Sequence, residues 1–108
     1  MNSVSRAKDL GRVMPKTLHT EMISAITDLA KSFNFCATLP PVGYSRCVKP
    51  DMWEVQVMVV LVQAVDKGYY VTYYAEGLGY QCEPWRISRT YVYRLNDDRT
   101  YSIKGETT

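Results

Sequence analysis

The sequence contains one histidine, His19, and that scarcity removes most catalytic constellations at once. A Ser-His-Asp or Cys-His arrangement would have to use His19, with Cys36 or Cys47 as a nucleophile, and no local motif supports either. Cysteine is also sparse. Cys36, Cys47 and Cys82 are odd in number and widely spaced, without the paired Cys-x-x-Cys of a zinc site. Buried free thiols are the expectation for all three. Gly77-Leu78-Gly79 has no lysine, serine or threonine after it and no following helix, so it is not a phosphate-binding loop. The one adjacent carboxylate pair, Asp97-Asp98, stands where a turn is expected, a setting that favours aspartate for backbone reasons. No cofactor, no metal and no enzymatic activity are expected.

Long apolar runs are missing too. The longest, residues 57–62, is far short of a membrane span. No apolar stretch follows the early basic residues Arg6, Lys8 and Arg12, so a secretory signal is not expected and a cytoplasmic setting is. The formal net charge of +2 is too small to point to nucleic acid by itself, and it speaks against an acidic mimic of nucleic acid.

What the chain does have is tyrosine. Seven of its nine tyrosines lie between positions 69 and 93, including the pairs Tyr69-Tyr70 and Tyr73-Tyr74. Successive side chains on a strand point to opposite faces, so each pair places one ring on either side of a sheet. A helix on one face can cover only half of them.

The chain is long enough for one domain with a modest core. Residues 1–14 read as a flexible basic N-terminal arm, and residues 15–108 as a single α+β domain. Thr17 is the expected N-cap of a helix, with Glu21 suited to its positive end. Leu18, Met22, Ile26, Leu29 and Phe33 then recur at steps of three and four, giving one apolar stripe. Asn34 is the expected left-handed terminator. Pro40, Pro41, Gly43 and Pro50 break the next stretch, leaving room for one short edge strand over residues 44–48.

From Trp53 onward the pattern is antiparallel sheet. Trp53, Val55, Val57, Val59 and Leu61 alternate as an apolar face. Asp66-Lys67-Gly68 fits a three-residue hairpin loop that sets Val65 opposite Tyr69, Leu61 near Tyr73 and Val59 near Ala75. Residues 87–95 and 100–104 supply the remaining main strands. The expected fold is one amphipathic helix packed on one face of a four- to five-stranded antiparallel sheet. Odd positions, including Tyr69, Tyr73, Tyr91 and Tyr93, go under the helix.

The opposite face is then lined by Met58, Val60, Val62, Tyr70, Thr72, Tyr74, Thr90, Val92, Arg94 and Lys104. Trp85, beside Pro84 in an expected loop, is either a further contact anchor or a lid on the core. Tyrosine, methionine and arginine are enriched in interfaces, and such an apolar surface is an aggregation hazard unless covered. The residues therefore point to a non-catalytic protein-binding module acting through its open sheet face, with self-association as a homodimer. An accessory or inhibitor protein of the kind carried by phages and mobile elements suits this profile. Single-stranded nucleic acid is the alternative partner, with Tyr70 and Tyr74 stacking on bases and Arg94, Lys104, Arg86 or Arg89 holding phosphates. A small enzyme without a recognisable motif is the third reading.

Overall fold

Leu18, Met22, Ile26 and Leu29 form the buried stripe of helix α1 (Ser3–Ser32), which lies across one face of an antiparallel sheet. The computed structural model describes residues 3–48, 54–79 and 81–107, with side chains from Leu18 onward. The strands are β1 (Ser45–Val48), β2 (Val55–Val65), β3 (Gly68–Leu78), β4 (Pro84–Leu95) and β5 (Tyr101–Thr107). They pair in sequence order as one five-stranded open sheet, so the fold is α+β.

The helix runs through the expected cap at Thr17 and includes Pro15, so His19 lies inside the helix, where it is exposed. Its C-terminal end also differs from expectation. Phe35, not Asn34, takes the left-handed conformation, with φ of 62°. Asn34 instead turns its carboxamide oxygen to the Ile103 N–H, 2.9 Å away, tying the helix end to β5. The three thiols are free but none is buried: Cys47 and Cys82 are exposed, and half-buried Cys36 donates to the Ser32 carbonyl. The proposed Trp53 start of the sheet pattern lies outside the described residues, as does Pro50.

Alternation decides what the helix covers. Val55, Val57 and Val59 of β2, Val71, Tyr73 and Ala75 of β3, and Tyr91 and Tyr93 of β4 are buried with the helical stripe in one core. Tyr69 is half-buried on the same side and meets Tyr101 edge to face, with ring centroids 5.8 Å apart. The odd positions of β3 and β4 are thus the inner set, as the sequence pattern indicates.

The β2–β3 hairpin departs from that pattern. The connection is two residues, Asp66 and Lys67, and Val65 pairs with Gly68 rather than Tyr69. A shorter turn would by itself reverse the facing of one strand against the other. A bulge between Val59 and Leu61 restores it: Val59 faces Tyr73 and Val57 faces Ala75. Because a bulge sets two residues of one strand against one of its partner, Val60 and Leu61 both turn outward and Val62 turns inward. Val62 packs against the core, while Leu61 is 47% exposed.

Candidate functional site on the open sheet face

The face away from α1 is built by register. Met58 of β2 stands opposite Tyr74 of β3, which in turn stands opposite Ser88 of β4. One step along, Leu61 faces Thr72 and Thr72 faces Thr90. Next come Gln63, Tyr70 and Val92 in one row. The large apolar groups Met58, Val60, Leu61, Tyr70, Tyr74 and Val92 therefore form one patch across three strands. Val60, Leu61 and Tyr70 are exposed, while Met58, Tyr74 and Val92 are half-buried by their neighbours.

Polar groups on this face are used locally. The Thr72 and Thr90 hydroxyls bond at 2.8 Å, a cross-strand pair that stiffens the centre of the patch. Tyr74 donates its hydroxyl to the Glu76 carboxylate at 3.1 Å. Desolvation first, and then that bond, hold the Tyr74 hydroxyl above its ordinary range. It remains a neutral donor at physiological pH.

At one end of the face Gln56, Glu76 and Arg86 stand in a single cross-strand row. With Leu78 and Pro84 they line a shallow hollow of about 250 Å³. A carboxylate and a guanidinium side by side can hold a polar group of a partner. No histidine or cysteine lines the hollow; its ionisable groups are the carboxylates of Glu54 and Glu76 and the Arg86 guanidinium.

The structure gathers most of the expected site residues and removes two. Met58, Val60, Tyr70, Thr72, Tyr74, Val92 and Arg94 share the open face. Val62 does not, because the bulge turns it to the helix side, and Leu61 takes its place. Trp85 does not either. It lies within β4 opposite Gly77, on the helix side by register, and its ring N–H reaches Glu83 at 3.4 Å. Arg89 likewise faces the helix side and pairs with Glu106, leaving Arg86 and Arg94 as the arginines of β4 on the open face. Leu61 was hidden from sequence reasoning because residues 57–62 are uniformly apolar and carry no phase.

No protein family, curated protein or solved structure matches this chain.

Proposed function

We propose that the protein is a non-catalytic binding module that holds a protein partner on its open sheet face. One observation carries this reading: Met58, Val60, Leu61, Tyr70, Tyr74 and Val92 are contiguous there, and the core is complete without them. Rings that serve folding are found on the other face, under α1. Interfaces favour this chemistry, an aromatic and aliphatic centre with arginine at its margin. Here Arg94 and Arg86 supply the margin. Among the described residues no helix is long and apolar enough to cross a membrane.

The test is capture of host proteins on the immobilised chain, compared with a Tyr70→Ala/Tyr74→Ala variant. Expected is a partner retained by the parent and lost by the variant, with unchanged circular dichroism. Equal retention by both would remove the open face from the function.

Single-stranded nucleic acid is the second reading, favoured by the presence of Arg86 and Arg94 on the same face as Tyr70. The Glu76 carboxylate beside Arg86 weakens it. It predicts oligonucleotide affinity that falls steeply with salt, a dependence that an apolar protein contact does not share.

A further inference from the structure

The two edges of the sheet are finished differently. On β5, Tyr101 exchanges backbone bonds with the chain after the helix: its carbonyl accepts from Phe35 N–H, and its N–H donates to Cys36 carbonyl at 2.8 Å. The next outward N–H, that of Ile103, is taken by Asn34. Beyond it the edge carries Lys104, Glu106 and a second bulge. Short pairing, charge and bulges are the usual ways of closing an edge against other chains.

The β2 edge is closed only in part. β1 covers Val55 to Met58, and Gly43 and Tyr44 reach Val59 through bonds of 2.8 and 2.9 Å. Among the described residues nothing pairs with the outer edge of residues 60–65. This stretch reads Val-Leu-Val-Gln-Ala-Val, with no charge and no proline. It spans ~20 Å, the length of an ordinary strand.

The bulge also sets which groups are free. Val59 bonds outward to the β1 side, while Val60 and Leu61 together face Thr72. Alternation then directs the N–H and C=O of Val62 and Ala64 outward. An antiparallel partner that satisfies both must be another strand with the same spacing.

We propose that a second copy of this chain pairs antiparallel with residues 61–65 of β2, about a two-fold axis at Gln63, to give one continuous sheet. In that register Val62 meets the partner copy at its Ala64 position and the reverse, so the edge is its own complement, as an isologous contact requires. On the open face Leu61 meets Val65 of the second copy, and the two Gln63 side chains meet at the axis, which puts no like charges together. β1 ends opposite Met58 and the Gly43 and Tyr44 bonds end at Val59, so both stop short of residues 61–65. The inference goes beyond the open-face reading: it concerns the edge, joins two open faces side by side, and each can fail alone.

The experiment uses the full chain. Light scattering over a concentration series is expected to reach twice the 12.4 kDa protomer mass; a strict monomer at every concentration overturns the proposal. With Cys36, Cys47 and Cys82 changed to serine, Gln63→Cys is expected to give a covalent dimer on mild oxidation. The axis is a non-hydrogen-bonded pair with Cα atoms about 4.5 Å apart, within disulfide reach. Ser88→Cys, in the middle of the open face, is expected not to cross-link; cross-linking there but not at position 63 would mean a face-to-face dimer and overturn the edge. Ala64→Pro, which deletes an outward N–H, and Gln63→Lys, which sets like charges at the axis, are each expected to weaken dimerisation at least tenfold. Two folded variants that dimerise like the parent would also overturn it. Failure here leaves the open-face reading untouched, since that rests on Tyr70 and Tyr74 in the capture experiment.

Discussion

Tyr73 and Tyr93 share a buried hydroxyl–hydroxyl hydrogen bond of 2.7 Å between neighbouring strands. Tyr93 donates its single proton to the Ala30 carbonyl at 2.9 Å, so Tyr73 must be the donor in the pair. The result is a directed chain from β3 through β4 to the helix. It lets two large rings be fully buried without orphaning either oxygen, and no buried side-chain polar atom is left unpartnered among the described residues.

That direction makes the two tyrosines unequal. Tyr73→Phe removes a donor while Tyr93 keeps its bond to Ala30, and should cost about 1 kcal/mol. Tyr93→Phe strands the Tyr73 hydroxyl without an acceptor in the core and should cost about 2–3 kcal/mol. The Ala30 carbonyl still receives the Phe33 N–H at 3.2 Å, so it adds little. The double variant should cost less than the two together, because no hydroxyl is then stranded. Urea midpoints of the four proteins check this; equal single costs would refute the donor order.

The same pair predicts behaviour in alkali. Burial, above all, pushes the Tyr93 hydroxyl up to about 12 from an ordinary 10.0, and burial also raises Tyr73. In the unfolded chain both lose their protons near 10, so above that pH the unfolded state binds fewer protons than the folded one. Stability from these groups is therefore full below pH 10 and falls as pH rises toward 12. Unfolding midpoints measured at about pH 9 and about pH 11 should drop for the parent, and drop less for the double phenylalanine variant. An equal drop would place the alkaline sensitivity elsewhere.

The core half of this design was legible in the sequence. The helical stripe from Leu18 to Leu29 and the odd-numbered face of β3 and β4 follow from period alone, and these residues are buried. The short edge strand among the prolines was also visible, as β1. The bulge was not. A run of six apolar residues looks the same in either phase, and a two-residue turn plus an extra residue in β2 leaves the pairing of Val57 and Val59 with odd positions. The two deviations cancel near the core and show only at Leu61 and Val62. Trp85 was misplaced because Pro84 resembled a breaker, whereas proline is tolerated at the first position of a strand.

Leu61 and Val62 accordingly give a direct check of the register. Val62→Asn places an amide against the core and should cost about 2 kcal/mol. Leu61→Asn changes an outward side chain and should cost under about 1 kcal/mol, from strand preference alone. Thermal unfolding of a monomeric background such as Gln63→Lys isolates the folding term from any association. The opposite ranking would mean that β2 keeps its alternation unbroken and has no bulge at Val60.

The glycines of the sheet should rank by what a methyl group would meet. At Gly68 an added Cβ would stand 2.1 Å from the Tyr93 carbonyl oxygen and 3.1 Å from its carbon. These are backbone atoms of the very residue whose hydroxyl links the sheet to Ala30, so relief requires β3 and β4 to move apart at the buried pair. Gly68→Ala should cost about 3 kcal/mol or more. At Gly77 the methyl would come within 3.1 Å of a Leu18 methyl and 3.3 Å of the Glu54 carbonyl. The leucine can give by a rotamer adjustment, so Gly77→Ala should cost about 1 kcal/mol. At Gly105, opposite Val92 on β5, nothing lies within 4 Å. There the lost freedom of the unfolded chain dominates, and Gly105→Ala should be neutral or stabilising by about 0.5 kcal/mol. Urea midpoints that fall from Gly105 through Gly77 to Gly68 fit this close approach of strands. A tolerated alanine at Gly68 would show that the β3–β4 spacing there is wider than the one that buries Tyr93.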